Sequence, residues 1–408
     1  MSLQEEQRLD AAFLMQTYGR KPVEFVRGDG IRLYDDTGAE YLDFLAGVGA
    51  VSVGHTNPRV VKAIQGQAEK LLHVSNYYYV EGRGALAQKL SGLLNRGLPA
   101  DAATPWRTFF ANSGAEAVEG AIKVARKYGA HRLEGASTVI AARRSFHGRT
   151  LAALAATGQH SKRDSFEPIP QGFVHVDLGD VHALKALLHQ GIGGKAICAL
   201  LLEVIQGEGG VYPCTEEYLH AARELTAETG ALLMLDEVQT GFYRTGERPF
   251  AFQHYGIVPD VVTLAKGLGA GVPIGALCAR GPAAETFEPG DHGSTFGGSP
   301  LAVAAANAVL DELEALDIGP QVAEVGAYLQ QQLKRLPLVT EVRGRGLMVG
   351  IELSRPVAEQ VVSAGLEHRL VLNSIGRHIL RFLPPLVCTK ADVDLLIERL
   401  QKIMEASE

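Results

Sequence analysis

Between Ala231 and Gly267 two short apolar runs each deliver a charged side chain at their end. Ala231-Leu-Leu-Met-Leu235 runs into Asp236, then Glu237-Val238-Gln239-Thr240-Gly241, and Val261-Val262-Thr263-Leu264-Ala265 runs into Lys266 and Gly267. Runs of this length without alternation read as strands buried on both faces, which is the habit of parallel sheets covered by helices. If the two strands are neighbours, an acid and a lysine share the carboxyl rim of one sheet, where open α/β sheets bind ligands. The alternative is a structural ion pair at a strand end.

The surrounding chain supports a sheet of this kind. From about Arg107, strand and helix patterns alternate, the signature of an α/β unit. Candidate strands are Thr108–Ala111, Thr138–Ala141, Phe173–Val176, Ile197–Val204, Leu232–Leu235, Val261–Leu264 and Ile274–Ala279. Helical spacing lies between several of them, at Ala115–Tyr128, Asp180–Leu188 and Glu216–Glu228. Before this region come a helical pattern at Leu9–Tyr18, a hairpin between Gly30 and Phe44, the glycines Gly47, Gly49 and Gly54, and a helix at 58–72. After Pro300 the texture changes. Helices to Ala315 and from Pro320 to Leu333 precede strands at Val339–Val342 and Leu347–Glu352, and a last helix has Val393, Leu396, Ile397, Leu400 and Met404 on one face. This reads as a large domain over 51–300, a small α+β domain over 301–408, and an N-terminal segment, 1–50, packed with the latter.

Composition narrows the function classes. The net charge is −7 with no long basic run, so nucleic acid is not an expected partner. Cys198, Cys214, Cys278 and Cys388 are scattered without metal-ligand or disulfide spacing, so no metal is expected and a reducing cytoplasm is. No apolar run reaches membrane-spanning length, and the N-terminal residues carry no secretory or transit pattern.

Further groups cluster at predicted strand ends. Asn112-Ser113-Gly114-Ala115-Glu116 opens a helix: Ser113 and Glu116 make a capping box, and the free N–H groups beside Gly114 also suit a phosphate. In Ser145-Phe146-His147-Gly148-Arg149, Phe146 could cover a flat ring and Arg149 could clamp a carboxylate. His147 invites a general-base role, but between Phe146 and Gly148 it also reads as a buried, satisfied histidine. Glu203 and Glu208, in Glu203-Val204-Ile205-Gln206-Gly207-Glu208-Gly209-Gly210, could steer cationic substrate groups. His292-Gly293-Ser294-Thr295-Phe296-Gly297-Gly298 offers hydroxyls to a phosphate, and Arg381 precedes a proline-stiffened turn. An Asp and a Lys at one rim suit pyridoxal phosphate, the lysine as its Schiff-base residue and the acid as partner of the pyridine nitrogen.

Together these motifs resemble the class III, fold-type I aminotransferases that use pyridoxal 5'-phosphate, from Thr17-Tyr18-Gly19-Arg20 to Arg381-Phe382. Within that family the branch acting on acylated ornithine is the most similar. The resemblance implies a mainly parallel seven-stranded sheet and a cytoplasmic homodimer with shared active sites. Lys266 and Asp236 are then catalytic. Ser113, Gly114, Ala115, Phe146, Glu237, Val238, Gln239 and Thr295 join them in holding the cofactor. Arg149, Ser294, Glu208, Arg381 and Val48 face the amino-acid and 2-oxo-acid substrates, Ser294 and Thr295 coming from the partner subunit. Glu208 and Arg381 resemble a switch pair that lets one site accept a long amino donor and a short dicarboxylate. Val48 stands where ornithine δ-aminotransferases tend to carry a tyrosine, and Gln239 where glutamate-semialdehyde aminomutases usually show methionine. Val204 and Ser299 depart from a frequent proline and a frequent asparagine. Another ω-amine transaminase, or a binding protein that lost turnover, are the rival readings.

Overall fold

The structure is a computed structural model that describes residues 2–99 and 103–407. Its centre is a seven-stranded sheet: β1 (Arg107–Ala111), β2 (Thr138–Ala142), β3 (Phe173–Val176), β4 (Ile197–Leu202), β5 (Leu232–Asp236), β6 (Val261–Leu264) and β7 (Gly275–Ala279). The order is β1-β7-β6-β5-β4-β2-β3, with only β7 running against the others. All residues of β4, β5, β6 and β7 are buried, as their unbroken apolar runs require. Helices cover the sheet. Helix α1 (Gly114–Arg132) lays Val118, Ala121, Ile122 and Ala125 against it, in one core with Leu201, Met234 and Leu277.

β5 and β6 are parallel neighbours, with Asp236 opposite Thr263. Lys266 lies three residues beyond, at the same rim. A second sheet is built from β8 (Val339–Arg345), β9 (Met348–Leu353), β10 (Asn373–Ile375) and β11 (Ile379–Phe382), in the order β8-β9-β11-β10, all antiparallel. The early strands Phe25–Asp29, Arg32–Asp35 and Glu40–Asp43 form a third sheet with Leu370–Val371, tying the first fifty residues to the chain's end.

Local chemistry moves some boundaries. The first helix spans Leu3–Phe13, earlier than the expected Leu9–Tyr18, because Ser2 caps Glu5 N–H and two glutamates occupy the first turn. None of its residues is buried, so no apolar face fixed its position in the sequence pattern. Ala46 to Gly49 form a turn with φ between 49° and 79°, the left-handed region. Asp43 holds it by accepting from the N–H groups of Leu45 and Ala46.

Candidate functional site

The carboxyl rim of the large sheet encloses a cavity of about 390 Å³. Its wall brings together Ser113, Gly114, Ala115, Phe146, Arg149, Glu208, Asp236, Val238, Gln239 and Lys266. These come from five separate stretches of chain, and the sheet alone places them side by side.

Asp236 ends β5 at 5 % exposure. Its Oδ1 accepts from Val238 N–H at 3.1 Å, and its Oδ2 is hydrogen-bonded to His147 Nδ1 at 2.8 Å. Lys266 follows β6 with φ +41°, a left-handed turn rare outside glycine, and strain of this kind gathers at functional sites. Ser52 steadies the turn by donating to Gly267 C=O at 2.7 Å. Burial holds the Lys266 ammonium below the usual lysine range; Glu208 and Asp236 oppose this, and Arg381 adds to it. A larger fraction of free amine is what a nucleophilic lysine needs.

At the other end lies the first turn of α1, where the first N–H groups have no partner within the helix. Ser113 Oγ accepts from Glu116 N–H at 3.2 Å, but Glu116 closes on Asn112 N–H at 2.5 Å, one residue earlier than a standard capping box. The N–H groups of Gly114 and Ala115 stay available to an anion. Gly114 is required there, since a Cβ would sit 2.9 Å from Val238 Cγ1. Phe146 is half-buried, with the Arg149 guanidinium carbon 5.4 Å from its ring centroid.

Pyridoxal phosphate fits this lining. It combines a flat ring, a basic nitrogen, a reactive carbonyl and a phosphate. The cavity supplies Phe146 and Val238, a buried carboxylate, a desolvated lysine and a helix N-terminus in matching number.

Five expected residues lie elsewhere. Glu237 is turned into the core instead of toward the cavity, because successive residues at a strand end point to opposite faces. Its carboxylate accepts from Thr240 Oγ1 at 2.5 Å, Ala251 N–H at 3.0 Å and Phe252 N–H at 2.9 Å. Val48 is half-buried in the left-handed turn next to Ala50, which does line the cavity. Arg381 stands behind Glu208, its Nη1 donating to Glu208 Oε1 at 2.5 Å. Ser294 and Thr295 line a different cleft of about 310 Å³, beyond β1.

Two further residues belong to the cavity wall. His147 is not merely satisfied: one ring nitrogen supports Asp236 while Nε2 is buried without a protein partner. Its place between Phe146 and Arg149 was the available signal. Glu203 also lines the cavity, and burial, reinforced by Asp236, lifts its carboxyl well above the usual range. At Glu208 burial acts upward too, but the charge and hydrogen bond of Arg381 outweigh it and the net shift is downward.

The profile of the aminotransferase class-III family matches residues 15–404. Acetylornithine aminotransferase of Aquifex aeolicus is 46 % identical over 392 residues, covering 96 % of this chain and all of that protein. An ornithine aminotransferase structure from Toxoplasma gondii, described as having partial occupancy of PLP at its active site, superimposes with a TM-score of 0.91 at 33 % identity. It covers 99 % of this chain and 94 % of that one. The acetylornithine aminotransferase structure from Elizabethkingia anophelis matches with a TM-score of 0.85 at 30 % identity, over the full length of both chains.

Proposed function

The chain belongs to the class-III aminotransferases, which depend on pyridoxal 5'-phosphate, and from that premise we propose that it transfers the δ-amino group of N-acetylornithine to 2-oxoglutarate. The products are N-acetylglutamate 5-semialdehyde and glutamate, which puts the reaction in arginine metabolism. The observation that carries this reading is the pair of arginines. Arg149 lies open at the cavity, while Arg381 is masked by Glu208. Acetylornithine offers its distal amine to Lys266 and its carboxylate to Arg149. Glutamate must offer its α-amine, so its α-carboxylate needs the second cation, and Glu208 must give way.

When bound, the cofactor supplies an electron-withdrawing ring that eases loss of the proton from the carbon bearing the amino group. Asp236 faces the ring nitrogen and favours its protonated form. Lys266 is the attachment point and the base that takes and returns the substrate proton. Phe146 and Val238 flank the ring, and Gln239 lies near its hydroxyl. Ser113, Gly114, Ala115 and, from a second copy of the chain, Thr295 bind the phosphate, with Ser294 reaching the substrate. Residues 51–300 form the cofactor-binding unit, and 1–50 with 301–408 the smaller one.

A homodimer is supported by exposed aromatic side chains beside the loop that carries Ser294 and Thr295. Tyr77 and Tyr79 are 94 % and 105 % exposed. Asn76 Nδ2 donates to Ser294 C=O at 2.6 Å, and the rings of His73 and Phe296 lie 5.0 Å apart. The tyrosine segment and the loop carrying Ser294 and Thr295 thus present together. Among the described residues no helix is long and apolar enough to cross a membrane, and we place the enzyme in the cytoplasm.

A donor screen with 2-oxoglutarate tests the substrate. Acetylornithine should give the highest kcat/KM among acetylornithine, succinylornithine, acyl-lysine, 4-aminobutyrate and free ornithine. A higher value for any of the others reassigns the donor.

A further inference from the structure

The second sheet carries one row of directly opposed residues: Arg343 on β8, Gly350 on β9, Arg381 on β11 and Asn373 on β10. Opposed residues on antiparallel strands project to the same face. That face meets the loop bearing Glu208. Arg343 Nε donates to Gly210 C=O at 2.8 Å, and its guanidinium lies 4.1 Å from the Tyr212 ring centroid. Gly350 leaves the space in which the loop lies, since a Cβ there would stand 2.9 Å from Val211 Cβ.

The two edges of the Arg381 guanidinium are held differently. Asn373 Oδ1 accepts from Nε at 3.0 Å and from Nη2 at 2.8 Å. On the other edge Nη1 donates to Glu208 at 2.5 Å and to Gln239 Oε1 at 3.4 Å. A neutral amide oxygen fixes a guanidinium in direction and leaves its charge intact. A carboxylate fixes it and cancels the charge. The Arg381 side chain is 2 % exposed and that of Glu208 29 % exposed, so the freedom to move lies with Glu208.

We infer that Asn373 is the positioning residue that keeps Arg381 fixed and charged, so that Glu208 alone moves when glutamate or 2-oxoglutarate replaces the amino donor. The inference rests on the reading of Glu208 and Arg381 as an exchangeable pair. It makes the neutrality of residue 373 a determinant of which substrates are accepted. An aspartate there would give Arg381 a second, permanent counter-ion, and no charge would be left for an α-carboxylate.

Stopped-flow half-reactions of the holoenzyme with glutamate and with acetylornithine test this in Asn373→Asp, Asn373→Leu and Glu208→Ala. Asn373→Asp should lower the ratio of the glutamate to the acetylornithine rate constant by roughly 10- to 100-fold, the loss expected of one charge-assisted hydrogen bond. Asn373→Leu should raise KM for glutamate more than it lowers kcat. Titration with glutarate, which has two carboxylates and cannot react, should show weaker binding to Asn373→Asp than to wild type. Glu208→Ala should move the ratio toward glutamate. If it does so while Asn373→Asp leaves both the ratio and glutarate binding unchanged, the role of Asn373 is overturned and the exchangeable pair stands. If Glu208→Ala leaves the ratio unmoved, the exchangeable pair falls, and the inference with it.

Discussion

At the residue scale the site turns on how the Asp236 carboxyl group is held in place inside an apolar wall. Val238 N–H and His147 Nδ1 occupy one oxygen each, so neither the backbone nor the ring can drift without uncovering the charge. Asp236→Asn keeps the shape and removes the charge. We expect kcat to fall on the order of 100-fold, about 3 kcal/mol, with bound-cofactor absorbance retained. A kcat within about threefold of wild type, roughly 0.6 kcal/mol, would deny Asp236 this role. Asp236 and Lys266 were legible because a charge at the end of a buried apolar run is costly unless a partner or ligand meets it there. For His147 the neighbours Phe146 and Arg149 signalled the site, but no spacing along the chain says that its ring meets the end of β5. Asn373 was invisible for a stronger reason: its partner is chosen by the pairing of two strands, not by any spacing along the chain.

At the scale of elements, the loop after β5 is anchored by the side chain that turned the wrong way for the cavity. Glu237 satisfies the N–H groups of Ala251 and Phe252 and so folds residues 238–250 back on the strand. Glu237→Ala strands two buried donors and should destabilise the protein by about 3 kcal/mol in urea denaturation. Burial lifts the Glu237 carboxyl to about 7 against its three donors. An acid raised in the folded state contributes most below its ordinary value of 4.5, and that contribution is lost as pH rises through 7. The stability gap between wild type and Glu237→Ala should therefore narrow from pH 4.5 to above 7, and a gap that widens would contradict the assigned shift. The apolar runs of β4 to β7 disclosed the sheet, while alternation across the β5 end, applied one residue further, would have placed Glu237 correctly. The left-handed turn at Ala46–Gly49 had only its glycines to announce it; Ala46 and Val48 adopt the same φ because Asp43 binds the turn from below.

At the scale of the whole molecule, the cavity of a single chain lacks the two hydroxyls, Ser294 and Thr295, that its second cleft holds out on the far side of β1. If two copies exchange these loops, a mixture of Lys266→Ala and Thr295→Ala proteins, denatured and refolded together, should show more activity than either parent. Pairing the two variants restores one complete site, whereas activity no higher than the parents' sum would mean each chain works alone. The large sheet and its rim were legible in the sequence because they depend on runs of adjacent residues. The second sheet was legible as strands, but its row of facing side chains was not. The order of the large sheet also has a consequence in time. β1, which leads into the helix N-terminus, pairs only with β7, and every other strand lies on the far side of β7. During synthesis the first strand must therefore wait for the last, across the longest loop closure in the sheet. β1 and the turn that opens the helix are thus the part of the large sheet whose pairing depends on the most distant stretch of chain.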